Sequence, residues 1–273
     1  MRALLAISVG NTRTAMAHFH DGHVHGSHRL SNQDLEAIVA AAAAEWEHLG
    51  AHADQDATCV LASVNDAVAD ALEPLLAARL GTEVWRIGRD IGVPVGECLD
   101  PGARPGADRL LNAAAAFDVM KSACVVVDAG TAVTVDFVDG HGVFQGGAIA
   151  PGAAMQLRAL HRETHALPQV EFRQPAEEPF GRSTEEAMLQ GVYHGLRGMV
   201  WRLVERYAQA YGAFPPVIAT GGDAALLFEG DELVDRVVPD LTLMGIDVAV
   251  RMAGDDADAP ADEGGDGGAA SGG

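Results

Sequence analysis

The chain has 273 residues, 48% of them hydrophobic, with 39 acidic against 18 basic side chains and a formal net charge of −21. That length and apolar share can bury a full core as one large or two small domains. The acidic balance argues against nucleic-acid binding and against an anionic membrane surface, since both need a basic face.

The opening "MRALLAISVG" carries one positive charge and no small-residue cleavage pattern, and no apolar run reaches membrane-spanning length, so a cytoplasmic protein is expected. Cys59, Cys98 and Cys124 are odd in number and show no C-x-x-C spacing, which suggests buried thiols rather than a zinc site or a disulfide framework. The eleven histidines show no metal-ligand spacing and are expected on the surface.

In chain order, "LLAIS", "TAMAHF" and, after the Asp21-Gly22 turn, "HVHGSHRL" predict a meander of three strands. A helix follows over residues 31–50, with Ser31 as N-cap and Gly50 as its end. A strand at 57–64, a helix at 66–81 and a strand at 82–88 continue the α/β rhythm. After a Gly/Pro-rich loop from Val93 to Pro105, "GADRLLNAAAAFDVMKS" predicts a helix.

Then the opening pattern returns. Residues 123–152 again read strand, Gly-Thr turn, strand, Asp-Gly turn, strand, followed by helices at 153–164 and 183–212, the strand "PPVIATGG" and a last helix from Met244. The repeat implies two similar α/β domains, placed at 1–115 and 116–253. From 254 the chain is Gly, Ala and Pro interspersed with acids, a composition expected to be disordered. Removing its six acids from −21 leaves −15 on the rest.

Three strand ends could meet a ligand. Gly10-Asn11-Thr12 follows the first strand, and Asp128-Ala129-Gly130-Thr131 follows its counterpart in the second half. Either alone reads equally as an ordinary hairpin turn. As a repeated pair they could face each other and cradle a polyphosphate with amides and hydroxyls. "TGGD", Thr220 to Asp223, is the third, where an adenine or ribose could lie.

"PGADR" sets Asp108 and Arg109 side by side at a helix start. Asp108 reads as a base toward an attacking hydroxyl, or as an acid favoured by the positive helix end; Arg109 suits a bidentate grip on a carboxylate. "GGAIAPG", Gly146 to Gly152, suits close ligand approach or a tight strand-helix corner.

Together "SVGNT", "GADR", "DAGTA", "GGAIAPG", "GRSTEEA" and "TGGDA" resemble, in order, the signposts of the type III pantothenate kinases, from the first strand to about Arg251. The resemblance implies two ribonuclease H-like domains of the actin-like ATPase superfamily. It also implies ATP-dependent phosphorylation of pantothenate, the first step of coenzyme A biosynthesis, in a homodimer. By the same resemblance Ser8, Gly10, Asn11, Thr12 and Thr131 bind ATP, which comes with Mg2+. Asp108 is then the base, and Gly106, Ala107, Asp108, Arg109 and Thr184 hold pantothenate, Thr184 across a dimer. Asp128 binds a monovalent cation, K+ or NH4+.

Two positions depart from the pattern. Ser8 stands where the family's first turn has Asp, which motivates a rival reading: a catalytically weakened or regulatory homologue that binds nucleotide or pantothenate. Upstream of Gly106, "ECLDPGARP" has Cys98 and Leu99 where the family carries an aromatic. A third reading is a kinase of the same superfamily acting on another hydroxyl-bearing small acid.

Overall fold

The structure, a computed structural model, describes residues 3–52 and 57–258. Strands β1 (Ala3–Val9), β2 (Arg13–His20) and β3 (His23–Ser31) form the expected meander. Helix α1 (Leu35–His52), β4 (Thr58–Ser63), α2 (Asp66–Leu80) and β5 (Val84–Arg86) complete a sheet of order β3-β2-β1-β4-β5. The second half repeats it. Following β6 (Gly96–Glu97) and α3 (Ala107–Met120) come β7 (Cys124–Ala129), β8 (Ala132–Val138) and β9 (Val143–Pro151). Helices α4 (Ala153–Glu163) and α5 (Thr184–Tyr211) lead to β10 (Val217–Thr220), α6 (Ala224–Phe228), β11 (Arg236–Val237) and α7 (Leu241–Asp258). The sheet order β11-β10-β7-β8-β9-β6 is the first sheet's order plus one edge strand. The internal repeat in the sequence is therefore a repeat of topology.

The layers follow from where the apolar faces point. Ile38, Leu49, Leu72 and Leu76 of α1 and α2 cover one face of the first sheet. Leu157, Leu189, Val200 and Leu227 of α4, α5 and α6 cover the outer face of the second. Helices α3 and α7 fill the space between the sheets. Leu111, Leu243 and Ile246 pack on the first sheet, while Ala113, Ala116 and Leu241 pack on the second. The two helices cross closely at Gly245, where a Cβ would stand 2.2 Å from the Leu111 carbonyl oxygen.

Several element ends differ from expectation. Ser31 stays in β3, paired with Arg13, and Asp34 caps α1 instead by accepting the Ala37 N–H at 2.9 Å. The helix passes through Gly50 to His52. Helix α7 begins one turn before Met244 and runs through Asp258, so the first residues of the expected disordered tail are helical; the rest of that tail lies outside the described residues. Cys59 and Cys124 are buried, their thiols pushed up to about 12 by desolvation, but Cys98 is exposed. Among the described residues no helix is long and apolar enough to cross a membrane.

The histidines are not all surface ornaments. Glu45 on α1 is only 4% exposed. It accepts hydrogen bonds from His18 of β2 at 2.5 Å and His28 of β3 at 2.7 Å. Burial pushes the Glu45 carboxyl up, but the two imidazoles outweigh it and hold it below the ordinary value. A lowered carboxylate adds stability above its unfolded pKa and loses it as pH falls through the folded one. Gly26 makes room for this contact: its φ is +57° and a Cβ there would lie 2.0 Å from Glu45 Oε2. Gly26→Ala is thus expected to destabilise by about 2–4 kcal/mol, combining a left-handed backbone with overpacking. Thermal unfolding should record a melting temperature lower by about 5–15 °C.

Candidate active site

The two repeated turns meet. At the end of β1 the Gly10 N–H donates to the Arg13 carbonyl at 3.0 Å, and the Asn32 side chain clamps the bend, donating to the Gly10 carbonyl at 2.8 Å. Asn32 is itself held by the Thr14 hydroxyl at 2.8 Å. The second turn is one residue tighter, closed by the Gly130 N–H on the Ala132 carbonyl at 2.9 Å. Across the gap the Thr12 and Thr131 hydroxyl oxygens lie 3.3 Å apart. Both turns open into one cleft of about 630 Å3 between the sheets, which Ser8, Asp108, Asp128 and Asp223 also line.

Gly152 of the "GGAIAPG" corner serves this geometry: a Cβ there would stand 2.1 Å from the Gly130 carbonyl oxygen. That glycine is a corner against the second turn. The "TGGD" turn packs on the same loop, because the Asp223 N–H donates to the Ala129 carbonyl at 2.9 Å. Gly221, at φ +97°, would place a Cβ 2.5 Å from Asp128 Oδ1.

The carboxylates differ in surroundings. Asp108 sits in the first turn of α3, capped by Gly106, and its Oδ1 accepts the Arg109 backbone N–H at 2.8 Å. Burial raises its carboxyl and that N–H only partly opposes the shift. Asp128, deeper, accepts from the Asn112 side chain at 3.1 Å. Desolvation, then the neighbouring Asp108, push it up to about 6. Burial raises the Asp223 carboxyl as well, and three acids in one cleft, each resisting ionisation, mark a place prepared for a cation or a proton.

The donor set fits a hard cation. Asp128 has one oxygen tied to Asn112 and the other facing the space that Gly221 leaves open, and oxygen donors suit alkali and alkaline-earth ions. Among the described residues no three acids, histidines or cysteines converge closely enough to hold a metal alone. A divalent ion would depend mainly on phosphate oxygens and water.

The remaining expected residues lie elsewhere. The Arg109 side chain, next in the chain to Asp108, pairs with Asp136 of β8, with Nε at 3.1 and 3.0 Å from its two oxygens. Gly106 and Ala107 form the entry to α3. Thr184 starts α5, after the Ser183 cap, on an apolar groove shared with α4 that includes Leu160, Met188 and Val192. Sequence reasoning missed Asn32, Asn112 and Asp136, each of which acts on a residue far away in the chain.

Paired glycine turns opening into one cleft between two sheets of repeated topology, with a carboxylate at the start of the intervening helix, define a two-lobed α/β protein with a polar ligand cleft between its repeats. Solved structures share this fold. A Campylobacter jejuni protein described as a Baf family transcriptional activator matches at TM-score 0.60 and 18% identity, over 92% of this chain and 99% of its own. The ethanolamine utilization protein EutJ of Carboxydothermus hydrogenoformans matches at TM-score 0.52 and 14% identity, over 91% and 90%. The profile of the type III pantothenate kinases matches residues 4–206, and the chain belongs to that family. A type III pantothenate kinase of Dehalococcoides mccartyi is 34% identical over 91% of this chain and 97% of its own. One from Rhodospirillum rubrum is 36% identical over 89% and 96%.

Proposed function

We propose that this protein phosphorylates pantothenate with ATP, giving 4'-phosphopantothenate and ADP at the entry to coenzyme A biosynthesis in the cytoplasm. The observation that carries the reading is the position of Asp108, on the wall of the cleft into which both phosphate turns open. The backbone amide of Asn11 and the hydroxyls of Thr12 and Thr131 hold the phosphates, while the Gly10 and Gly130 amides, bonded to the Arg13 and Ala132 carbonyls, keep the two turns closed around them. Asp108 takes the proton of the primary hydroxyl as its oxygen bonds to the γ-phosphorus, and the bond from that phosphorus to the β-phosphate bridging oxygen breaks. Gly106, Ala107 and Arg109 hold the acceptor. A divalent cation bound with the nucleotide supplies charge neutralisation over the phosphates.

Asp128 holds a monovalent cation, K+ or NH4+, in this reading. Its folded carboxyl is raised, so ionisation as pH climbs through about 6 removes stability that a bound cation returns. Potassium is therefore expected to raise the melting temperature at about pH 7.5 and to have no effect near pH 5. Thr184 and the apolar groove around it face a second copy of the chain, completing the acceptor site in a homodimer; light scattering reads that state directly. The two lobes divide near residue 115.

Formation of 4'-phosphopantothenate from ATP, Mg2+, K+ and pantothenate tests the proposal. No product under any of those conditions would sink it.

A further inference from the structure

Arg109 is restrained on three sides. Asp136 takes its Nε and Nη2 donors with both carboxylate oxygens. Phe144 of β9 lies under the guanidinium, with the carbon 5.3 Å from the ring centroid. Asp136 itself is 2% exposed in a sheet whose neighbours are apolar, and a buried carboxylate in such a place is costly unless its partner is fixed. The chain opposite it is Gly147, where a Cβ would stand 2.3 Å from Asp136 Oδ1. Strand β9 thus leaves room for this carboxylate at the paired position, and Thr134, two residues back on the same face of β8, adds a side-chain hydrogen bond to it. The arrangement is complete without any ligand.

What it leaves free is one edge. Among the described residues the Nη1 end of Arg109 has no hydrogen-bond partner, although the side chain is only 14% exposed. Among the described residues no polar side-chain atom is both fully buried and unpartnered, so this end opens to solvent. A guanidinium with its Nε side occupied and its far edge open offers parallel N–H groups in one direction only.

We propose that Asp136 is a positioning residue that aims the open edge of Arg109 at the carboxylate of the acceptor, and so sets the preference for an anionic acceptor over a neutral one of the same shape. This rests on the kinase reading above. Asp136 touches neither substrate. It acts by removing the rotamer freedom of a long side chain before the acceptor arrives, which is where a preorganised ion pair gains affinity.

The test compares pantothenate with its neutral analogue, in which the carboxylate is replaced by a hydroxymethyl group. The wild type should favour pantothenate in kcat/KM by about tenfold or more, the scale of one charge-assisted contact. Asp136→Asn should raise KM for pantothenate about tenfold, leave kcat within about threefold, and leave the neutral analogue nearly unaffected, so that the preference collapses. A merely structural role would reduce both acceptors alike. Asp136→Glu keeps the buried charges paired while displacing the guanidinium, and it supplies the same ratio if the Asn variant does not fold. An unchanged ratio in whichever variant folds, or a wild type indifferent to the acceptor's charge, overturns the inference. Absence of any phosphorylated product from the wild type would instead sink the kinase reading.

Discussion

Asp108→Asn is expected to lower kcat by about 10²–10⁴-fold, the usual scale for loss of a general base, with KM for ATP and pantothenate changed only a few-fold. The same substitution should hold or raise the melting temperature at about pH 7.5. Burial pushes the Asp108 carboxyl up, so its ionised form is a stability cost at neutral pH and the neutral amide removes that cost. The sign can be checked by titration. A raised folded pKa means that the wild type regains stability as pH falls, so the gap between wild type and variant should close in acid. Rate and stability moving in opposite directions separate a base from a structural acid. Activity within threefold of wild type would remove Asp108 from the chemistry, and a collapse in melting temperature would reassign it to the fold.

Asp128 is the other acid that could take a proton, and its surroundings give it a different task. One of its oxygens is bonded to Asn112 and the other faces the space that Gly221 leaves open. An Asp128→Asn variant should therefore alter the response to monovalent cation before it alters proton transfer.

The repeat was legible because each half writes its own turns: "GNT" and "AGT" stand at strand ends, and the period of apolar residues changes from 2 to 3.6 in the same order twice. Pairing across the molecule was not legible. Chain order assigns α7 to the second half, yet Leu243, Ile246 and Val250 pack on the first sheet, because α7 is apolar on more than one face and the gap between sheets accepts it. Ser31 and Asp34 are both good caps, and only the ladder bond of Ser31 to β2 decides for Asp34. Glu45 and Glu47 look alike in "AAEWEHLG"; the meander's His18 and His28 select the first.

At the site, the cleft residues of the turns were readable, and the residues that hold them were not. Asn32 reaches Gly10 across 22 positions, and Arg109 reaches Asp136 across 27. The latter had no clear signal: in "AVTVDFV" strand alternation sets Asp136 with Thr134 on the face opposite Val133, Val135 and Phe137, which reads as a solvent face, and only the folded structure shows it 2% exposed.

Ser8→Asp is expected to lower the Mg2+ concentration for half-maximal rate about tenfold and to raise the rate at limiting Mg2+ by a similar factor. Ser8, next to last in β1, pairs with Ala15 and Ala62 and opens to the cleft. Its hydroxyl can meet a cation's hydration water but brings no charge, and a carboxylate there would add about 1.4 kcal/mol for each tenfold gain in cation binding. The same substitution should lower the melting temperature when no nucleotide or Mg2+ is present. Asp108 already raises Asp128, and a further acid in a cleft that Asp108, Asp128, Asp223 and Asp240 already line adds repulsion that only a cation offsets. The two effects have one cause, so they should appear together and both should fade with Mg2+-nucleotide bound. A wild type already at full rate, with no response to Ser8→Asp, would show that phosphate contacts alone place the metal and would leave the weakened-homologue reading without a basis. Product from Ser8→Asp and none from the wild type would establish that rival.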